Sequence, residues 1–217
     1  GPDQIRDANG PMLQALCEDL GLESRLFPVL PDREDRLVHF LRETANRFDV
    51  VILSGGVSMG DHDYVHEVLR RSGADVVFHK SAVKPGKPLM VARRNTQLLF
   101  GLPGNPVSAF VTFQLFVAAA VRKRMGHSQW HLPRVEGRLE RPVRQKPGRL
   151  FFKAARTRWR EGGFLVEPID TEGSSDLTAF AAANSLAAIA ADVAEAEAGT
   201  RVPVLLLPNG LEEGGRS

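Results

Sequence analysis

The sequence predicts an α/β fold: a three-layer domain with a mostly parallel sheet, followed by a small β-barrel-like domain. Three observations predict it. Strand-like and helix-like segments alternate through residues 1–128, and that alternation marks layered α/β architecture. The run Phe48–Leu53 (FDVVIL) is short, apolar and rich in β-branched residues, as a strand buried on both faces requires. After about Trp130 the segments become short, Arg-rich and more strictly alternating, which suits a small barrel over residues 129–217.

The elements follow in order. Asn9 is a good helix cap, Pro11 lies in the first turn, and Met12, Leu13, Leu16 and Leu20 share a face that Gly21 ends. Leu26–Leu30 reads as a short strand. Asp32 can cap a second helix with Leu37, Phe40 and Leu41 inward. After the Phe48–Leu53 strand comes a Gly-rich turn, then a helix carrying Tyr64, Val65, Val68 and Leu69 that Gly73 stops. Strands are expected at Asp75–His79, Leu89–Ala92 and Leu98–Gly101, with a polar turn at Arg93–Thr96. Val107–Val121 is broken by Ser108, Thr112 and Gln114 and reads as a buried helix, too polar and short for a membrane span. In the second part, strands are expected at Arg134–Val143, Leu150–Trp159, Phe164–Pro168, Ser185–Asp192 and Val202–Leu207, with a short helix at Leu177–Ala183.

Composition sets the outer limits. The chain has 217 residues, 43% hydrophobic and 25% charged, which is ordinary for a globular protein. A net charge of +2 is too small to mark a nucleic-acid binder. The single cysteine, Cys17, lies among leucines and reads as packing; it allows no internal disulfide and favours an intracellular setting. No signal peptide or spanning segment is visible, so a cytoplasmic protein without a membrane partner is expected.

Three segments carry chemistry. The first is Ser54-Gly55-Gly56-Val57-Ser58-Met59-Gly60-Asp61-His62-Asp63-Tyr64, between the end of a buried strand and a helix start. Ligands of α/β sheets bind at that strand end, where glycines let backbone N–H groups approach a phosphate. A P-loop would need Lys-Ser/Thr after its last glycine, where Asp61 stands, and the dinucleotide fingerprint is incomplete. Asp61 and Asp63 suit Mg²⁺ bridged to phosphate, or equally a helix cap. His62 and His66 share helical spacing, but a zinc site needs a third ligand. The second segment is Lys84-Pro85-Gly86-Lys87-Pro88, whose prolines preset two ammonium groups for a small oxyanion. The third, Gly101-Leu102-Pro103-Gly104-Asn105-Pro106-Val107-Ser108, leads into the longest helix. Its N–H groups and the Ser108 hydroxyl can meet a second anionic group, while Asn105 caps. Together the three loops point to a bulky polyanionic small molecule.

In this order, SGGVSMGDHDY, KPGKP and GLPGNPVSA closely resemble the molybdopterin molybdenumtransferase family, which includes MoeA and the gephyrin E domain. IRDANGPML and the β-rich tail are similar as well. The resemblance implies a MogA-like molybdopterin-binding domain that takes adenylated molybdopterin, receives molybdate with Mg²⁺, and releases AMP. It implies Ser54, Gly55, Gly56, Ser58, Pro103, Gly104, Asn105 and Ser108 around the substrate. It also implies Asp63 as the Mg²⁺-associated carboxylate with Asp61 beside it, and Lys84 and Lys87 at the molybdate end. Asp49 matches an acidic position of less certain role, and Arg149 and Ser174 complete an oxyanion pocket. Two other readings stand beside it: a molybdopterin adenylyltransferase, against which KPGKP and the tail argue, and a gephyrin-like binding or scaffold module. Family members are about twice this long and commonly homodimeric. Their first strand and its Thr-Gly-Asp-Glu-like loop have no counterpart here, so this chain alone is expected to be weakly active or inactive.

Overall fold

The computed structural model describes residues 7–31, 33–56, 64–171 and 176–208. The chain divides into two compact units. One takes the residues up to Ser81 with Gly86–Phe113; the other takes Ala82–Pro85 and the residues from Gln114 onward. This division differs from a cut at 128/129 by residues 114–128 and by the short segment 82–85.

The first unit contains α1 (Asn9–Asp19), α2 (Glu34–His39), β1 (Val50–Ser54), α3 (Tyr64–Arg71) and β2 (Asp75–His79). The short strand β3 (Val83–Lys84) then belongs to the second unit, and the first resumes with β4 (Met90–Arg94), β5 (Gln97–Leu102) and α4 (Pro106–Thr112). Its sheet order is β1-β5-β4-β2. The expected mostly parallel sheet is mixed in its described pairings: β1 runs parallel to β5, while β4–β5 and β2–β4 are antiparallel. The reason is connection length. Only Asn95 and Thr96 separate β4 from β5, and Asn95 adopts a φ of 54°. A parallel pair would need a crossover of a dozen residues, whereas Asn tolerates the left-handed turn of a hairpin.

The core of this unit gathers Val38, Leu41, Val51, Val65, Val68, Leu69, Met90 and Leu99. Helix α3 supplies Val65, Val68 and Leu69 at the i, i+3, i+4 spacing of one face. Residues 26–30 form no strand. Pro28 and Pro31 remove ladder donors, and Phe27 instead packs edge-to-face on Phe40 and Phe48, with centroids 4.9 and 5.7 Å away. Asp32 lies outside the described residues, and Arg33 occupies the cap position of α2 without a side-chain cap bond. The long apolar helix is observed as α4, a wide π turn at Phe113–Val117, and α5 (Ala118–Arg124), ending before Gly126 at φ 84°.

The second unit contains β3, α5, β6 (Arg134–Leu139), β7 (Val143–Arg144), β8 (Leu150–Arg160), β9 (Gly163–Pro168), α6 (Leu177–Ala181), β10 (Ser185–Ile189), β11 (Glu195–Ala196) and β12 (Arg201–Leu206). Strands run β10-β12-β6-β9-β8, and β8 pairs back onto β10, so the ring closes into the small barrel that the alternation predicts. Leu139, Ala155, Val166, Ala187, Ile189 and Val204 fill it. Gly137 is required there: a Cβ at that position would overlap Val166 Cγ2.

Candidate functional site

The parallel register of β1 and β5 sets Ser54 beside Leu102, so both strands deliver their loops at one sheet end. Gly55 and Gly56 then take φ values of 87° and 73°, a region that costs an L side chain strain. The Gly55 N–H donates to the Leu102 carbonyl at 3.2 Å. A Cβ on Gly104 would lie 3.4 Å from the Gly55 Cα, so the two loops touch backbone to backbone. The Ser54 hydroxyl donates to the Pro103 carbonyl at 3.5 Å. Asn105 caps α4 as expected, its side chain accepting the Ser108 N–H at 3.2 Å, with Pro106 in the first turn. Ser54, Gly55, Gly56, Pro103, Gly104, Asn105 and Ser108, expected from two separate motifs, are thus brought into one place.

A third segment joins them, and sequence reasoning gave it another role. Asn9 is not the cap of α1. The cap position falls on Ala8, and Asp7 just ahead of it supplies the carboxylate, accepting the Asn9 and Gly10 N–H groups at 3.0 Å each. The Asn9 amide is thereby released to bridge the loops. It donates to Ser54 Oγ at 2.7 Å and to the Gly104 carbonyl at 2.9 Å, and the residue is only 8% exposed. The usable signal was the Asp7-Ala8-Asn9 spacing: two capping residues compete for one helix start, so one is left over.

The KPGKP segment is split between the units. Lys84 lies in β3, which runs parallel to β8 with Lys84 opposite Phe151, and its ammonium sits 4.8 Å above the Phe151 ring. Arg149 donates to the Val83 carbonyl at 3.4 Å, so Lys84 and Arg149 share one strand edge of the second unit. Lys87 belongs to the first unit and is exposed; its carbonyl accepts the Ser81 and Leu89 N–H groups, both at 2.9 Å. Lys153 follows on β8. Burial pushes its ammonium pKa down, while Asp170 raises it and Arg141 lowers it further.

Other candidates fall elsewhere. Asp49 is exposed at the head of β1. At about 3.3 Å per residue it stands roughly 16 Å along the strand from Ser54, so the structure does not bring it to the loop pair. Ser58, Asp61, His62, Asp63 and Ser174 lie outside the described residues. Among the described residues no group of three or more His, Cys, Asp or Glu could hold a metal, so they alone do not make a Mg²⁺ site. Burial, with Glu18 adding to it, raises the Cys17 thiol pKa, which favours the unreactive protonated form and fits packing. Among the described residues no helix is long and apolar enough to cross a membrane.

Residues 2–123 match the family model described as a probable molybdopterin binding domain. Residues 136–207 match the MoeA C-terminal region (domain IV). The chain belongs to the MoeA-type molybdopterin-binding family. It is 34% identical over 204 residues to the molybdopterin molybdenumtransferase of Staphylococcus aureus strain Mu50, covering 94% of this chain and 48% of that protein. To the molybdopterin molybdenumtransferase of Staphylococcus epidermidis strain ATCC 12228 it is 30% identical over 213 residues, 98% of this chain and 51% of that one. A solved molybdopterin biosynthesis MoeA protein of Pyrococcus horikoshii superposes with a TM-score of 0.75 at 30% identity, over 95% of this chain and 49% of that chain. A molybdenum cofactor biosynthesis protein of Pyrococcus furiosus does so at 0.70 and 28%, over 92% of this chain and 64% of that chain. The chain therefore spans about half the length of the curated relatives it matches.

Proposed function

We propose that this chain forms part of an enzyme of molybdenum cofactor biosynthesis that inserts molybdate into adenylated molybdopterin and releases AMP. The observation that carries the reading is the convergence of Asn9, Ser54–Gly56 and Pro103–Asn105 at the C-terminal end of a parallel strand pair, where α/β sheets bind phosphate-bearing ligands. In this reading the glycine backbones and the Ser54 and Ser58 hydroxyls hold the phosphate-bearing part of the substrate. Asn105 already occupies the Ser108 N–H, so Ser108 contributes its hydroxyl. In the second unit Lys84, Arg149 and Ser174 are proposed for the oxyanion, and in the first unit Lys87 is proposed as a cation for the molybdate end; a guanidinium offers a fork of donors and an ammonium a point charge.

Mg²⁺ belongs to the proposal on the strength of Asp63 and Asp61, whose carboxylates suit a hard cation beside phosphate. The ion would offset charge on the phosphates. Asp49, at the far end of β1, is proposed only for a supporting acidic role. The full-length protein is proposed to be a cytoplasmic homodimer. The match of residues 136–207 to the MoeA C-terminal region favours molybdenum transfer over adenylyl transfer.

Calorimetric titration with molybdopterin–AMP, with and without molybdate, tests this reading. Wild type should bind. Asp63→Ala should weaken binding with or without molybdate, and Lys84→Ala should weaken mainly the molybdate-dependent part. Equal binding by all three proteins refutes the assignment.

A further inference from the structure

We propose that Asn9 is a positioning residue for this site: its side-chain amide, donating to Ser54 Oγ and the Gly104 carbonyl, sets the gap between the two glycine loops and so their fit to a phosphate-bearing ligand. The inference rests on reading the loop pair as a ligand site, and it goes further by assigning a residue outside both loop motifs.

The amide's orientation is settled by its surroundings. Gly104 offers a carbonyl oxygen 2.9 Å away, which can only accept, so the nitrogen of Asn9 must face it. The same nitrogen lies 2.7 Å from Ser54 Oγ, and that hydroxyl in turn reaches the Pro103 carbonyl. Both amide hydrogens are spent on the two loops. The cost appears at the other atom: the Asn9 Oδ1 is buried and has no partner among the described residues. A buried, unpaired carbonyl oxygen is unfavourable, and such an exception calls for a role. Turning the amide over would set two acceptors against each other at Gly104, and only the Ser54 hydroxyl could still bond to it, as a donor. The side chain is therefore held for its donors.

Three consequences follow for the site. The bridge ties α1, β1 and the loop before α4 at one point. It holds the Ser54 hydroxyl toward Pro103. It also fixes the plane of the Gly104–Asn105 peptide directly ahead of the α4 cap, because a peptide group is rigid. A backbone-built anion site depends on such placement, since its donors cannot reorient as a long side chain can.

Replacement by aspartate supplies a readout that a purely structural role would not give. In Asn9→Asp the new side chain keeps the shape of the amide it replaces. Ionised, it cannot donate to Gly104; protonated, it regains one donor, and burial raises the pH at which this happens. Asp7, which accepts from the backbone of residues 9 and 10, is common to all variants.

The experiment is AMP titration of the 217-residue chain as wild type, Asn9→Ala and Asn9→Asp, at about pH 8 and about pH 5. Wild type should bind at both. Asn9→Ala should be about tenfold weaker at both. Asn9→Asp should be about tenfold weaker at the higher pH and return to within about threefold of wild type at the lower. Wild-type affinity in both variants overturns the inference alone, as does an Asn9→Asp defect that is the same at both pH values. Absence of AMP binding by wild type overturns the reading of the loop pair and this inference with it.

Discussion

The loop pair of the first unit and the β3–β8 edge of the second are both suited to anions, and they are built in opposite ways. At the loop pair the groups are fixed backbone dipoles of the two glycine loops, held in place by the Gly55–Leu102 bond, the Gly55–Gly104 contact and the Asn9 amide bridge through Ser54. At the strand edge they are side-chain cations, Lys84 above Phe151 and Arg149 against Val83. Dipoles fixed by the fold need no counter-charge and lose little to salt, but they tolerate almost no displacement. Cations on long stems tolerate displacement, and salt screens them. The difference teaches where mutations should act. Changes behind the loops should act on binding there through geometry, and changes at the edge should act on binding there through charge.

The largest effect should come from the sheet that aims the loops. Leu99 in β5 is fully buried and lies opposite Val51 of β1 and Ala92 of β4. Leu99→Ala should cost about 2–5 kcal/mol in chemical denaturation, through lost contacts and a residual cavity. It should also weaken AMP binding. Unchanged affinity in a destabilised protein would show that the loops hold themselves and would break the proposed link from sheet to site.

Gly55→Val comes next. A Cβ at Gly55 has open space within 4 Å, so the penalty comes from the backbone, at φ 87°. About 1–3 kcal/mol is expected, with AMP affinity reduced about tenfold or more. Gly104→Ala is the matched control. Its Cβ makes an ordinary 3.4 Å contact with Gly55, and its φ is not positive, so stability should change less than in Gly55→Val.

The comparison also shows what was legible in the sequence. The Phe48–Leu53 run, the α3 face and the closed barrel strands came through because apolar period and turn residues are local signals. Ser54–Gly56 and Pro103–Ser108 were legible as anion loops because glycine, proline and a capping asparagine state their backbone geometry directly. The parallel β1–β5 register that unites them was not, since strand partners are set by long-range packing. The mixed sheet was hidden in a two-residue Asn95–Thr96 turn. Residues 26–30 looked like a strand by composition, yet two prolines and the Phe27 aromatic contacts decided otherwise. Asn9 was misread because propensity cannot tell which of two nearby capping residues the chain will use, and Asp7 won. Asp49 and Ser54 share one motif-bearing strand, but a strand separates its ends, and sequence proximity concealed that distance.

At the strand edge, Lys84→Met and Arg149→Met should leave stability within about 0.5 kcal/mol, because neither cation is needed to fill the core. Molybdate retention should fall about tenfold in each, and wild-type retention should weaken as salt rises. AMP binding at the loop pair should respond to salt less steeply. Equal salt dependence at both places would erase the proposed contrast between fixed dipoles and mobile cations.

The smallest effect tests whether surface charge near that unit matters to stability at all. Arg141 donates to Asp170 at 2.8 Å, and its side-chain hydrogen bond, then its charge, hold the Asp170 carboxyl below the ordinary aspartate range; Lys153 adds in the same direction. A depressed folded-state pKa contributes stability above the unfolded-state value, near about 3.9, and loses it as pH falls through the folded-state value. Both side chains are well exposed, so Asp170→Asn should cost at most about 1 kcal/mol at neutral pH. Denaturation midpoints followed from about pH 7 to about pH 2 should show the two proteins converging once the wild-type carboxyl is protonated. A gap that persists through acid would assign Asp170 a packing role, and the charges of the second unit would then matter through shape, as the backbone of the loop pair does.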